Sequence, residues 1–189
     1  TIDTPIFMPV GTAGAVKALT PAVLKEIGAQ IILGNTYHIF LRPGVDVIRQ
    51  FGSLHDFIAW DRPILTDSGG FQIFSIKGNT KVKEEGVEFR SHLDGSKFFF
   101  TPEGVADIQD AYDSNIQMVL DNFAGFPATR QEDEFALSIT RQWAERARKR
   151  FLEINNRDVE YPNAQFAIIQ GGLHTDLREQ SLNELAAMD

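Results

Sequence analysis

One stretch is predicted to carry the chemistry of this chain, and it is Ile64-Leu65-Thr66-Asp67-Ser68-Gly69-Gly70-Phe71-Gln72. Its apolar start after a proline is typical of a buried strand. The strand ends in a carboxylate and a hydroxyl, and the two glycines that follow allow a close backbone approach to a ligand. A carboxylate, free N–H groups, a ring and an amide together suit a flat, hydrogen-bonding heterocycle. Taken alone, the segment 67–70 also fits an ordinary tight turn.

Apolar segments of the same kind recur along the chain. Besides 64–66, we predict strands at 5–12, 30–34, 117–120 and 166–169. Strands that are apolar throughout are buried on both faces, which indicates a parallel sheet covered by helices. Four polar residues follow these strands directly, and they are Asn35, Asp67, Asp121 and Gln170. The carboxyl ends of parallel strands meet at one edge, so we expect these side chains on one rim.

Helix signals alternate with the strands. Thr20-Pro21 and Thr101-Pro102 pair an N-cap residue with a proline at the first helical position, and Thr129 and Glu132 have capping-box spacing. Further helices are predicted between Gly44 and Gly52, over 54–59, and from about Asp176. The longest, 129–154, is expected to bury one face and to expose a locally basic, solvated one. The members of the apolar face are Phe135, Ile139, Trp143, Ala147 and Phe151, and those of the basic face are Arg141, Arg146, Arg148, Lys149 and Arg150.

This alternation predicts an α/β fold. Open doubly wound sheets and closed barrels both fit it, and the polar rim favours a TIM-type (β/α)8 barrel. Five strands cannot close that barrel, which typically needs ~250 residues. We therefore expect a single domain over 1–189, truncated to about the first five strand–helix units. The turn Asp94-Gly95-Ser96 predicts a β-hairpin insertion over 86–100.

Composition limits the possible functions. The formal net charge of -8 argues against a wholesale basic nucleic-acid binder. The absence of cysteine excludes disulfides and thiolate zinc sites within these residues, and the four histidines lack metal-ligand spacing. The sequence contains neither a signal peptide nor an apolar run of about 18 residues, so we expect a soluble, cytoplasmic protein that does not contact a membrane.

Six stretches carry a resemblance to the queuine tRNA-ribosyltransferases, the bacterial-type tRNA-guanine transglycosylases, over their amino-terminal and central part. The stretches are 4–12, 16–21, 33–38, 41–44, 65–72 and 170–172, and they follow one another in the family's order. The resemblance implies a βα barrel and the exchange of guanine at the tRNA wobble position for a 7-deazaguanine base, preQ1, in queuosine biosynthesis. It implies tRNA and preQ1 or guanine as partners, and a homodimer in the complete enzyme.

The resemblance also implies roles for individual residues. Asp67 is the catalytic proton acceptor beside the glycosidic bond, and Asn35 and Gln72 support it. Asp121 binds the pyrimidine edge of the base, and Gln170 with Gly171 binds its carbonyl oxygen. The remaining members of the base site are Ser68, Gly69 and Gly70, which line it, and Phe71, which stacks on the ring.

The sequence departs from the family in three ways. Asn122 and Phe123 replace an acid and a cysteine after Asp121. The aspartate nucleophile and the cysteines and histidine that hold a structural Zn²⁺ belong to motifs beyond residue 189, so we expect this chain alone to be inactive. Without the resemblance, two strand-end carboxylates also fit a glycoside hydrolase. A non-catalytic truncated paralogue that binds the base or a partner is a further alternative.

Overall fold

Helices and strands alternate along residues 1–75, 80–155 and 163–188, which a computed structural model of the chain describes. The strands are β1 (Val10–Gly11), β2 (Ile32–Gly34), β3 (Ile64–Thr66), β4 (Lys81–Lys83), β5 (Gly86–Arg90), β6 (Lys97–Phe100), β7 (Ile116–Met118) and β8 (Ala164–Phe166). The helices are α1 (Pro21–Glu26), α2 (Thr36–Leu41), α3 (Val45–Phe51), α4 (Leu54–Ile58), α5 (Gly70–Ser75), α6 (Pro102–Ala111), α7 (Arg130–Ile154) and α8 (Thr175–Ala186).

The main sheet contains five strands in the order β1-β2-β3-β7-β8, and every neighbouring pair is parallel. Its central strand β3 is buried along its whole length. The register aligns Ile32 with Ile64 and Leu65 with Ile116, so branched apolar side chains lie side by side across the sheet. The predicted α/β fold with a parallel sheet is confirmed.

A second, antiparallel sheet in the order β4-β5-β6 follows α5. Strands β5 and β6 pair from Val87–Phe100 to Arg90–Lys97, within the range predicted for a hairpin, and β4 adds a third strand. The Gly95 N–H donates to the Ser91 carbonyl at 2.9 Å in the connecting turn. Phe89 and Phe100 pack from this sheet into an apolar cluster that also contains Trp143 of α7, so the small sheet is anchored to the long helix.

The predicted helix starts are confirmed by their capping contacts. Thr20 and Thr101 each accept a backbone N–H from the residue three positions on, and a proline follows each at the first helical position. Thr129 and Glu132 form a reciprocal capping box at the start of α7. These contacts satisfy N–H groups that have no partner within the helix.

Four strand predictions were wrong in their limits, and the strand predicted over 30–34 covers only Ile32–Gly34. The first strand covers only residues 10–11 because Pro5 and Pro9 have no N–H to donate to a neighbouring strand. Strands β7 and β8 end at Met118 and Phe166, earlier than predicted, so Asp121 and Gln170 lie in the segments after the strands. Helices α2 and α5, which begin directly after the polar ends of β2 and β3, were not predicted.

Two predictions for α7 were also wrong. Phe135 is 54% exposed, whereas Ile139, Trp143, Ala147 and Phe151 are buried as predicted. The basic face is in part a contact with α6, because Arg146 pairs with Glu103 and Arg150 pairs with Asp107, with nitrogen–oxygen distances of 2.6 and 2.8 Å. In sequence these acids are far from the arginines, so the helical pattern alone could not reveal the pairs.

Candidate active site

Asp67 lies at the centre of a hydrogen-bond network immediately after β3. Its Oδ1 accepts the backbone N–H groups of Thr36 at 2.8 Å and Gly69 at 3.0 Å. Its Oδ2 accepts the side-chain amides of Asn35 at 2.5 Å and Gln72 at 3.0 Å. Four donors from two strand ends therefore fix the plane of one carboxylate.

Burial and hydrogen bonding act on the pKa of Asp67 in opposite directions. Burial raises the pKa above its ordinary value, because the charged form loses hydration. The hydrogen bonds from Asn35, Thr36, Gln72 and Gly69 stabilise the charged form and lower it, and the net direction is upward. Such a group holds a proton more readily than an exposed aspartate, as a proton acceptor requires.

Gly70 brings the Asp67 turn against Asp121. A Cβ atom at Gly70 would lie 3.0 Å from the Asp121 carbonyl oxygen and 3.1 Å from its Oδ1, closer than ordinary van der Waals contact. A side chain at residue 70 would crowd Asp121, so glycine favours the close approach of these two segments. Ser68 is also buried here, and its hydroxyl accepts the Gly70 N–H at 3.3 Å.

Asp121 and Gln170 form a buried pair. Gln170 Nε2 donates to Asp121 Oδ2 at 2.9 Å, and the two residues are 7% and 8% exposed. Burial raises the pKa of Asp121 to about 6, with a smaller upward contribution from the charge of Asp67, while the Gln170 hydrogen bond opposes the rise. The second hydrogen of the Gln170 amide remains available for an acceptor. Hydrogen-bond donors of a ligand can therefore bind the Asp121 carboxylate, and an acceptor of the same ligand can bind the Gln170 amide.

Phe71 follows Gly70 in the chain, and its ring stacks on the ring of Phe123. The two ring centroids are 5.7 Å apart with an interplanar angle of 19°. Phe71 is 64% exposed, so part of its ring is open to solvent. Phe123 is held in turn by the ring of Phe74, edge to face, at 5.4 Å.

The structure thus brings together predicted residues that follow four strands, β2, β3, β7 and β8. Asn35, Asp67 and Gln72 share one hydrogen-bond network, and Asp121 shares another with Gln170. Sequence reasoning missed Thr36, whose hydroxyl also donates to the Asp67 carbonyl at 2.5 Å, although its place directly after Asn35 was a usable signal. Sequence reasoning also missed Ser181, whose hydroxyl accepts the backbone N–H of Gln170, because no local pattern indicates this contact.

Other kinds of site lack support in the described part of the chain. There, no three His, Cys, Asp or Glu side chains are grouped as metal ligands. None of the helices described is long and apolar enough to cross a bilayer. Trp60 and Trp143 are buried, with 1% and 0% exposure, so neither can line a sugar-binding groove.

The fold and the site define an α/β protein with two carboxylates, Asp67 and Asp121, and the amide of Gln170 in the segments that follow its parallel strands. The family model described as Queuine tRNA-ribosyltransferase matches residues 1–189, and the chain belongs to this family.

Three relatives named queuine tRNA-ribosyltransferase illustrate the similarity. The chain is 53% identical to the protein of Thermoanaerobacter sp. (strain X514) over 188 residues, 52% identical to that of Acinetobacter baylyi over 185, and 50% identical to that of Azoarcus sp. (strain BH72) over 184. These matches cover 100%, 97% and 97% of this chain. They cover 48%, 47% and 48% of the relatives, so the chain spans about half their length.

Proposed function

We propose that this chain carries the base-recognition part of a tRNA-guanine transglycosylase, a pentosyltransferase that exchanges guanine at the tRNA wobble position for preQ1. Family membership supports the reaction class. The observation that carries the assignment is the convergence of Asp67, Asp121 and Gln170, in which Gly70 joins the first two and a hydrogen bond of 2.9 Å joins the last two.

Asp121 and Gln170 recognise the edge of the base in this proposal. Guanine presents a ring N–H and an amino group side by side, and a carboxylate accepts both. The adjacent carbonyl oxygen of guanine accepts the free hydrogen of the Gln170 amide, with the Gly171 backbone beside it. With a pKa of about 6, Asp121 is mostly ionised at neutral pH and able to act as this acceptor.

Asp67 accepts the proton that the incoming base loses at the nitrogen that joins the ribose. Asn35 and Gln72 orient its carboxylate through the hydrogen bonds to Oδ2. The donors also keep Asp67 from turning toward Asp121, so the two carboxylates serve different ends of the base. Phe71 stacks on the base with the face that Phe123 leaves free, and Ser68, Gly69 and Gly70 line the site.

The reaction proposed for the whole enzyme is a double displacement. A carboxylate nucleophile attacks C1′ of the target nucleotide, the C1′–N9 bond breaks, and guanine leaves with the electron pair as its N9 anion, which takes up a proton from water. The incoming base loses a proton to Asp67, attacks C1′ and displaces the carboxylate. The target base must first leave its stack to enter the pocket. The nucleophile is not among the residues assigned here, and we propose that the isolated 189-residue chain binds the base without sustained turnover.

The strand order supports a barrel. The five parallel strands follow one another in the sheet in chain order, whereas a doubly wound sheet reverses its order at a switch point. A sheet wound in one direction curls toward closure. We therefore propose that residues 1–189 form one domain, an incomplete (β/α)8 barrel, and that the small antiparallel sheet is an insertion.

The remaining assignments rest on the family. We propose that the complete enzyme is a cytoplasmic homodimer and that tRNA is its substrate. A structural Zn²⁺ held by three cysteines and a histidine does not fit these residues, since they include no cysteine.

Calorimetric titration of the chain with guanine, preQ1 and adenine tests the base site. Guanine and preQ1 are expected to bind, whereas adenine is not, because it presents no donor pair to Asp121. Asp121→Asn is expected to abolish binding. Asp46→Asn, which removes the same charge from a side chain that is 93% exposed, serves as the control. Equal binding of adenine and guanine would contradict the assignment.

Exchange of labelled guanine into tRNA tests the reaction. The whole enzyme is expected to incorporate the label at the wobble position and not into tRNA that has adenine there. The chain alone is expected to bind without incorporation. Sustained incorporation by the chain alone would refute the assignment of the nucleophile to other residues.

A further inference from the structure

Helix α8 reaches the candidate pocket through one buried hydroxyl. Ser181 Oγ accepts the backbone N–H of Gln170 at 3.0 Å, and Ser181 is 4% exposed. The side chain of Gln170 then donates to Asp121 at 2.9 Å. A single hydroxyl therefore holds the backbone of the residue whose amide bonds to Asp121.

The turn after Gln170 is held by the first turns of two helices. The His174 N–H donates to the Gly171 carbonyl at 2.9 Å, and His174 Nε2 lies 3.7 Å from Asp133 Oδ2 of α7. Gly172 has a φ of +52°, and any Cβ atom there would overlap the Asp133 carboxylate. The segment 171–174 is thus fixed on both sides, and the Gln170 N–H depends on Ser181.

We propose that Ser181 is a positioning residue for base recognition, acting through Gln170 on Asp121. The proposal rests on the function proposed above, because the pair that Ser181 holds is the pair assigned to the base edge. A buried N–H without a partner is strongly unfavourable, so loss of the hydroxyl moves Gln170 toward another acceptor. Asp121 then loses the hydrogen bond that stabilises its charged form.

The use of the hydroxyl distinguishes Ser181 from an ordinary helical residue. Serine is a poor interior helix former because its hydroxyl competes with the backbone for hydrogen bonds. In α8 it instead accepts from a different segment of the chain, eleven positions earlier. Its neighbour Gln180 is exposed and bonds within α8 to Glu184, so it is a matched control on the same turn.

The test compares the wild-type chain with Ser181→Ala, Ser181→Thr and Gln180→Ala. Carboxyl ¹³C NMR follows the titration of Asp121, and calorimetry gives the affinity for guanine. Ser181→Ala is expected to raise the pKa of Asp121 above about 6 and to weaken guanine binding about tenfold. Ser181→Thr keeps the hydroxyl and is expected to restore both values, while Gln180→Ala changes neither. Asp67 also acts on the charge of Asp121, and its own titration is followed in the same spectra.

The two readouts separate this proposal from the proposed function. Ser181→Ala with an unchanged Asp121 titration and unchanged affinity, but lower thermal stability, would make Ser181 a structural residue only and overturn the proposal. A wild-type chain that binds no guanine would overturn the proposed function instead. In that case the Asp121 titration in Ser181→Ala still decides whether Ser181 acts through Gln170.

Discussion

Asp121→Asn is expected to stabilise the protein at neutral pH while it removes base binding. The substitution keeps the shape of the side chain and leaves an oxygen that can accept the Gln170 amide hydrogen, whose present bond is 2.9 Å. It removes a charge from a residue that is 7% exposed. Ionisation of this group opposes folding, because the folded pKa of about 6 exceeds the ordinary value of 3.8.

The magnitude follows from the two pKa values. One pKa unit corresponds to about 1.4 kcal/mol, so ionisation of Asp121 costs about 3 kcal/mol of folding free energy. Because the folded pKa is raised, the stability of the protein with neutral Asp121 is fully present below pH 3.8. It is lost as Asp121 ionises and the pH rises through about 6. The variant should therefore equal the wild type in acid and exceed it by up to about 3 kcal/mol at about pH 8.

Urea unfolding at a series of pH values measures this difference. The slope of free energy against urea concentration must stay the same in both proteins, so that the midpoints report stability. The control Asp46→Asn, at an exposed site on α3, should show no gain. A gain from Asp121→Asn that is the same at all pH values, or that is largest in acid, would refute the reasoning, because neither follows from a raised pKa.

Two further substitutions test the turns around the pocket. Gly172→Ala is expected to destabilise the protein by about 1–3 kcal/mol through its left-handed backbone and its overlap with Asp133, whereas Gly28→Ala, with a φ of +85° and open space around it, should show the backbone cost alone. If both variants lose the same free energy of unfolding in urea, the overlap with Asp133 adds no cost at residue 172. Asn35→Ala is expected to raise the pKa of Asp67, because the Asn35 hydrogen bond is the largest contribution that lowers it. In the whole enzyme that carries this substitution, the acid limb of the exchange rate should then move to higher pH, and an unmoved limb would separate Asn35 from the reaction.

The main features of the sheet were predictable because they depend on local patterns. Apolar runs gave the parallel strands, and threonine followed by proline or by a capping-box glutamate gave three helix starts. The polar residues after the strands were predictable as a group, since parallel strands bring their carboxyl ends together. This rule predicts that Asp67, Asp121 and Gln170 lie at one edge, but not which of them are bonded.

The rest depended on contacts between distant segments. Helix α5 starts at Gly70, a residue with poor helix propensity, and the close approach of this residue to Asp121 favours glycine there. The stack of Phe71 on Phe123 joins two loops separated in the chain, and neither phenylalanine has a pattern that identifies its partner. The bond from Gln170 to Ser181 likewise joins a loop to a helix interior.

The carboxylates of Asp67 and Asp121 differ in the number of hydrogen bonds that they accept from the protein, and the difference fits their proposed roles. Asp67 accepts four hydrogen bonds from the protein, so its orientation is fixed before a ligand arrives. Asp121 accepts one side-chain hydrogen bond, from Gln170, and keeps lone pairs free in a buried site. A charged acceptor left incompletely bonded destabilises the fold, and a ligand that supplies two donors removes that penalty on binding. We therefore propose that the destabilisation expected from ionised Asp121 is the source of the affinity for a base edge that Asp121 is proposed to have. A variant that loses the destabilisation by ionised Asp121 should therefore also lose the affinity for the base.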